Sequence, residues 1–140
     1  MIDNKKLILD ICNISIRAGN KTLEYYKDDI EVTNKNDSSP LTKADLASNK
    51  IIKNALHNLD TTIPILSEES LVDWNTRKSW NKYWLVDPLD GTKEFIKKNG
   101  EFTVNIALIE KNSPILGVIF APAKSLIYFA QKGYGSFKVH

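Results

Sequence analysis

The chain of 140 residues has one cysteine, two histidines and almost no net charge. A lone cysteine excludes an internal disulfide framework and favours a reducing compartment. The 19 basic and 17 acidic residues leave a net charge of +2, so the overall charge gives no reason to expect nucleic acid as a partner. Any charge that matters for function must therefore be concentrated locally.

Long hydrophobic runs are also missing. Charged residues interrupt the apolar residues of the first turns, at Asp3, Lys5, Lys6 and Asp10, which argues against a signal peptide or a membrane span there. No later apolar run is long enough to cross a bilayer. We therefore expect a cytoplasmic protein, and an association with a membrane surface stays open.

The composition, with 42% hydrophobic and 26% charged residues, is that of one globular domain covering residues 1–140. Apolar residues recur at steps of three and four from Lys5 to about Lys27, which predicts an amphipathic helix. A second such pattern ends near Leu59, and Thr42 with Asp45 resembles a capping box at its start. We therefore predict two long helices.

Short apolar or alternating segments predict the strands. One short strand is expected after Asp28, before the loop that ends at Pro40. The others are predicted in "IPILSEES", "YWLVD", "EFTVNIALIE", "ILGVIFAP" and "SLIYFAQKG". Only a helical turn is expected after Gly91, and no element is assigned to the last seven residues. The predicted fold class is α+β, with two long helices packed on a largely antiparallel sheet.

Acidic residues follow two of the predicted strands. Glu68 and Glu69 come after the first, and Asp87 and Asp90 after the second. Ligands commonly bind beyond the carboxyl ends of strands, where such residues meet. Crowded carboxylates repel one another unless a cation offsets their charge. Hard oxygen ligands suit Mg²⁺, which is normally shared with a substrate phosphate.

The run from Asp87 to Thr92 combines several groups that this chemistry needs. Pro88 is expected to fix a turn that directs the Leu89 carbonyl to the same side as the aspartates. Gly91 permits a close approach of the chain to a ligand. The first amides of the following helical turn can receive a phosphate, and the Thr92 hydroxyl can hold an attacking water.

Each of these residues also has a plainer interpretation. "PLDG" is an ordinary turn sequence, in which Asp87 could cap the turn. Asp45 is a favourable residue near a helix N-terminus. A solvated helix face explains three nearby lysines as well as substrate binding does: Lys93, Lys97 and Lys98.

The remaining candidates are interpreted as structural. Cys12 and three tryptophans, Trp74, Trp80 and Trp84, are predicted to be packing residues. The two histidines, His57 and His140, lack any ligand spacing and are predicted to lie at the surface.

Three segments in order, "SPLTKAD", "LSEES" and "DPLDGT", resemble the magnesium-dependent, lithium-sensitive phosphatases. That family includes inositol monophosphatase, fructose-1,6-bisphosphatase and the 3′(2′),5′-bisphosphate nucleotidases. Within it, "DGTKEF" and "NGEFTVNIAL" look closest to the CysQ type of bisphosphate nucleotidase. The resemblance covers nearly the whole chain and implies a layered α/β sandwich, of which this chain would be the N-terminal half.

The resemblance also implies two or three Mg²⁺ ions. Glu68, Asp87 and the Leu89 carbonyl would bind one ion, and Asp87 with Asp90 a second. The phosphate would contact Glu68 and four consecutive residues: Leu89, Asp90, Gly91 and Thr92.

By the same resemblance, the catalytic residues would be Asp45, Glu68 and Thr92. Asp45 and Thr92 would accept protons, while Glu68 and Thr92 would orient the attacking water. The implied reaction converts adenosine 3′,5′-bisphosphate to AMP and phosphate, a step linked to sulfate assimilation and nucleotide recycling. A phosphatase acting on inositol phosphates or another sugar phosphate is the alternative.

The chain departs from the family pattern at one point. The family carries a late Trp-Asp pair, whereas this sequence has only the reversed Asp73-Trp74. The last metal ligand is therefore expected in a C-terminal domain outside these residues. A non-catalytic metal-binding module is a further alternative. A half-enzyme would expose an apolar face that is covered by its missing half or by self-association.

Overall fold

The computed structural model describes residues 4–26 and 39–140. These residues form two long helices, α1 (Asn4–Tyr26) and α2 (Pro40–Leu59), and two short ones, α3 (Trp74–Arg77) and α4 (Thr92–Lys97). The two long helices and the helical turn after Gly91 were predicted, and α3 was not. The short strand predicted after Asp28 lies outside the described residues.

Helix α2 begins earlier than its capping-box pattern predicted. Ser39 is the N-cap, and its Oγ accepts a hydrogen bond from the Thr42 amide at 3.1 Å. Pro40 follows at the first helical position, where its fixed φ favours the helix and its missing N–H costs no bond. The prediction that Thr42 and Asp45 form the cap is therefore wrong, and Asp45 lies in the second turn of the helix.

Six strands lie in chain order across one sheet. They are β1 (Ile65–Ser67), β2 (Lys82–Asp90), β3 (Thr103–Glu110), β4 (Ser113–Ala121), β5 (Leu126–Gln131) and β6 (Gly135–Val139). β1 pairs with β2 in parallel, and every later pair is antiparallel. The largely antiparallel sheet under two long helices confirms the predicted fold class.

Two strand predictions need correction. β2 does not stop at Asp87 but runs on to Asp90, because pairing with β3 resumes after an irregularity. β6 was missed because its alternation is very short, with only Phe137 and Val139 apolar, and all five of its residues are exposed. Contact with β5 stabilises this exposed strand, since the Phe129 and Phe137 rings stack with their centroids 5.2 Å apart.

One face of the sheet packs against α1 and α2 and forms the core. Its buried side chains come from both helices and from the four strands β2 to β5. Cys12 and Trp84 are buried there, as predicted, and both histidines are exposed, also as predicted. Trp74 is 62% exposed, so its assignment as a packing residue is wrong. It instead stacks under the Arg77 guanidinium, 5.1 Å from the ring centroid.

The opposite face of the sheet is open. Three of its apolar side chains are among the exposed ones: Leu85 at 42%, Ile119 at 47% and Tyr128 at 41%. Between them, small residues on neighbouring strands form the floor of a groove of about 710 Å³. Among the helices of residues 4–26 and 39–140, none combines the length and the apolar composition that a membrane span requires.

Candidate active site

The parallel pair β1 and β2 places two acidic residues side by side at one end of the sheet. Ser67 pairs with Val86, and the Glu68 amide donates to the Val86 carbonyl at 3.2 Å. Glu68 and Asp87 are the next residues of their strands. The two acid groups predicted at separate strand ends are therefore neighbours, because parallel strands end at the same edge.

A β-bulge brings Asp90 to the same face as Asp87. Asp87 pairs with Asn105 and Asp90 with Thr103, so two residues of β2 oppose one residue of β3. Positions i and i+3 of a regular strand point to opposite faces, whereas the extra residue restores a shared face. Pro88 lies within the irregular segment, where its missing N–H costs no ladder bond. The D-x-x-D spacing thus requires a bulge and not the tight turn that "PLDG" suggested.

The bulge is tied to helix α2 by a buried hydrogen bond. The Ser48 hydroxyl donates to the Pro88 carbonyl at 2.7 Å. On the same helix, Asn49 Oδ1 accepts from the Ser67 hydroxyl at 2.6 Å. Ser67 is the last residue of β1, directly before the glutamates. Helix α2 therefore fixes both acidic strand ends.

Asp45 belongs to this polar stripe of α2, three and four residues before Ser48 and Asn49. Its pKa is raised to about 7, first by burial and then by the charges of Glu69, Asp87 and Glu68, in that order. Its Oδ1 is buried and has no hydrogen-bond partner within residues 4–26 and 39–140. A capping role does not explain these properties. Asp45 faces the acids of β1 and β2.

The pKa of Asp87 is raised as well, to about 6. Burial is the largest cause, followed by the charges of Glu68 and Asp90. A hydrogen bond from the Leu89 amide acts in the opposite direction. Acids of α2, of β2 and of the segment after β1 therefore share one region of space, and the neighbouring charges disfavour ionisation of Asp45 and Asp87.

The remaining residues of the predicted segment, Leu89, Gly91 and Thr92, come directly after Pro88 in the chain. The Leu89 side chain is 4% exposed and packs with Phe95 and Phe102, so only its backbone remains for ligand binding. Gly91 has φ +92°, and a Cβ there would lie 3.3 Å from the Phe102 Cα. Thr92 starts α4 and is exposed. Its role toward water or phosphate stays a prediction, as do the other assigned roles.

The acids fit Mg²⁺ by the chemistry of their oxygens. Within the described residues, no group of three or more His, Cys, Asp or Glu side chains is arranged to hold a metal ion. Each predicted ion, however, takes only two carboxylates: Glu68 and Asp87 with the Leu89 carbonyl, or Asp87 and Asp90. Mg²⁺ commonly binds through one or two carboxylates and keeps several waters. A cation would stabilise the ionised form of Asp87, whose pKa is raised by burial and by neighbouring carboxylates.

Sequence reasoning missed four polar residues of this region: Ser48, Asn49, Ser67 and Asn105. Two of them fall three and four positions after Asp45, the spacing of one helix face, which could have revealed them. Asn105 lies between the buried Val104 and Ile106, on the same face as Asp87, and its amide Nδ2 lies 3.2 Å from Asp90 Oδ2. No sequence signal identified Ser67.

Comparison with known proteins agrees with this geometry. The model of the inositol monophosphatase family matches residues 3–139. The chain belongs to this family. Two curated relatives, both 3′(2′),5′-bisphosphate nucleotidase CysQ proteins, are 47% identical over 129 residues in Salmonella typhimurium and 49% identical over 128 residues in Buchnera aphidicola. They are matched over 91% and 90% of this chain.

The fold is likewise that of the inositol monophosphatase family. The crystal structure of CysQ from Bacteroides thetaiotaomicron superposes with a TM-score of 0.88 at 43% identity. That match covers 97% of this chain and 49% of the other. The curated relatives are covered over 52% and 48% of their length, so the chain spans about half of the relatives that it matches.

Proposed function

We propose that residues 1–140 form the metal- and phosphate-binding unit of a Mg²⁺-dependent phosphatase. Its substrate is adenosine 3′,5′-bisphosphate, which loses its 3′-phosphate to give AMP, a reaction of sulfate assimilation and nucleotide recycling in the cytoplasm. The observation that carries this proposal is the meeting of acids from three elements, Asp45 of α2, Glu68 after β1 and Asp87 of β2. The names of the CysQ relatives support the choice of substrate.

Glu68, Asp87 and the Leu89 carbonyl would hold one Mg²⁺, and Asp87 with Asp90 another. When bound, Mg²⁺ supplies Lewis-acid chemistry, because it offsets charge on phosphoryl oxygens and makes a nearby water more acidic. The chain supplies the geometry: the bulge in β2 turns both aspartates to one face. The bond from Ser48 to the Pro88 carbonyl fixes that bulge.

Asp45 would act as the proton acceptor in the reaction. A carboxyl whose pKa is raised to about 7 exchanges a proton readily near neutral pH, as a general base must. Glu68 and the Thr92 hydroxyl would orient the water that attacks phosphorus. The backbone from Leu89 to Thr92 would bind the phosphate, with Gly91 allowing its close approach.

The test is phosphate release by the 140 residues joined to the second half of the Salmonella typhimurium relative. We expect Mg²⁺-dependent release from adenosine 3′,5′-bisphosphate and much slower release from inositol 1-phosphate. Asp87→Asn should reduce release at least a hundredfold, since it removes a charge that both ions use. Asp10→Asn, on α1, is the matched control. Undiminished turnover by Asp87→Asn would refute the mechanism, and a preference for inositol 1-phosphate would refute the substrate.

A second candidate is a non-catalytic metal-binding module. It is motivated by the departure from the family pattern, since residues 1–140 contain no Trp-Asp pair and the last metal ligand of the family would lie outside them. Calorimetric titration of the 140 residues with Mg²⁺, combined with a phosphatase assay, separates the two. Binding without phosphate release, even when the second half of the relative is supplied, favours the module. Clear turnover excludes it.

A further inference from the structure

Asn105 lies in the segment "NGEFTVNIAL" but was not among the predicted site residues. It lies in the middle of β3, where its backbone pairs with Asp87. Its side chain reaches past that partner to Asp90, with Asn105 Nδ2 donating to Asp90 Oδ2 at 3.2 Å. One residue of β3 thus contacts β2 on both sides of the bulge, through its backbone on one side and its side chain on the other.

The orientation of the Asn105 amide follows from its partner. An ionised carboxylate only accepts hydrogen bonds, so the NH₂ group must face Asp90 and the oxygen must face away. That oxygen, Oδ1, is buried and has no donor among the residues that the structure describes. Asn105 also lines the groove of the open face together with Glu68 and Asp87. A water or hydroxyl that enters with a ligand would supply the missing donor.

A neutral amide suits this position. Asp87 and Asp90 share a face of the sheet, and their like charges repel each other there. A lysine or arginine could hold Asp90 in place, but its charge would compete with a metal ion for the carboxylate. An amide donor orients the carboxylate and leaves its negative charge for the metal, as hydrogen-bonded partners of metal ligands commonly do.

We propose that Asn105 is a positioning residue that holds the Asp90 carboxylate beside Asp87, ready to bind Mg²⁺. This role rests on the proposed function, because it takes Asp90 as a metal ligand. The Asn105 amide fixes the orientation of the Asp90 side chain, which leaves the backbone in an irregular part of β2. Its Oδ1 is directed to a donor that arrives with the bound ion.

The experiment is a calorimetric titration of the 140-residue chain with MgCl₂, with thermal unfolding in EDTA as the folding control. We expect Asn105→Ala and the similarly shaped Asn105→Leu to weaken Mg²⁺ binding roughly ten- to a hundredfold. Both should keep a cooperative unfolding transition in EDTA. Asn54→Ala, an exposed asparagine of α2, should bind Mg²⁺ as the unchanged chain does.

A double-mutant cycle separates positioning from general damage. In an Asp90→Asn background, Asn105→Ala should weaken Mg²⁺ binding no further, because the carboxylate that it orients is already absent. The same loss in both backgrounds would overturn the proposal, as would wild-type Mg²⁺ affinity in Asn105→Ala.

The outcome for the unchanged chain distinguishes the two proposals. If it takes up no Mg²⁺, the metal assignment fails, and the positioning role falls with it. If it binds Mg²⁺ and Asn105→Ala binds equally well, only the positioning role fails. The NMR signal of the Asn105 side-chain amide gives a metal-free readout, since it should shift in Asp90→Asn when EDTA is present. An unmoved signal would overturn the contact itself.

Discussion

The Ser48 hydroxyl donates a hydrogen bond to the Pro88 carbonyl at 2.7 Å, although forty residues separate the two in sequence. Both residues are buried. A carbonyl inside a bulge lacks its usual ladder partner, and a buried unpaired carbonyl is costly. The helix therefore supplies the donor that the irregular strand has lost, and it does so within the bulge that turns Asp87 and Asp90 to one face.

Ser48→Ala should lower the free energy of unfolding by about 1–3 kcal/mol, because it leaves the Pro88 carbonyl buried without a donor. Urea unfolding monitored by circular dichroism measures the change. Ser79→Ala serves as the control, since Ser79 is exposed, and it should change stability by less than about 0.5 kcal/mol. Equal effects of the two substitutions would show that the bond adds no stability.

The raised pKa of Asp45 predicts a pH-dependent stability of the metal-free chain. The folded-state pKa of about 7 lies above the usual value of about 3.9, so the folded state binds the proton more tightly. The resulting stabilisation is complete below about pH 4 and is lost as the pH rises through 7. Asp45→Asn removes the contribution of Asp45 to this pH dependence and should raise the melting temperature at pH 8 but not at pH 4.

Melting curves in EDTA from pH 4 to pH 8 test this expectation. Asp10→Asn controls for the change of a carboxylate to an amide elsewhere in the chain. Added Mg²⁺ should narrow the gap between Asp45→Asn and the unchanged chain at pH 8, because a cation offsets the same repulsion. A gap that stays constant across the pH range would contradict the assignment.

Cys12 should be unreactive in the folded chain. Burial raises the pKa of its thiol to about 11, so little thiolate exists at pH 8, and the side chain is only 7% exposed. Labelling with a thiol reagent at pH 8 should be at least about a hundredfold slower than after unfolding in urea. Asn13→Cys in a Cys12→Ala background offers an exposed thiol on the same helix and should react at once.

Gly19 allows α1 to approach the sheet closely. A Cβ at this position would lie 2.5 Å from the Phe120 ring and 2.8 Å from Pro122. Gly19→Ala gains helix propensity of up to about 1 kcal/mol, but we expect overpacking to outweigh it and to give a net loss of about 1–2 kcal/mol. In Gly117→Ala the nearest atom would lie 4.0 Å away, so that control should keep its stability in urea.

The open face of the sheet predicts association. Ile119 is 47% exposed next to other apolar side chains of the groove, and such patches commonly mark contact surfaces. Sedimentation of the 140-residue chain should show a mass that rises with concentration. Ile119→Lys should suppress this rise, whereas Leu71→Lys, 80% exposed elsewhere, should not. A chain that stays monomeric at high concentration would contradict the expectation.

The elements with strong periodicity were predictable from sequence. The apolar spacing of α1 and α2 and the alternation of β3 reflect burial against one core, and burial dominates the pattern of residues. Helix starts were less certain, because Ser39 and Thr42 are both acceptable caps and only the folded backbone distinguishes them. β6 was missed because pairing with β5, and not its own composition, makes it a strand.

For the candidate site, residue identity was predictable and geometry was not. The acids were recognised because four carboxylates that follow two predicted strands repel one another unless a cation offsets their charge. The bulge was hidden because "DPLDG" satisfies the rules for a tight turn equally well. The bonds of Ser48 to Pro88 and of Asn105 to Asp90 could not be predicted, because they join residues that are distant in sequence.

The strands lie across the sheet in the order in which they occur in the chain. As a result, α2, β1, β2 and β3, which carry the acids and their supports, form one uninterrupted stretch from Pro40 to Glu110. During translation this stretch emerges from the ribosome before β4, β5 and β6 do. The nascent polypeptide thus faces the mutual repulsion of its carboxylates early, and the yield of folded product during translation should depend on the divalent cations then available.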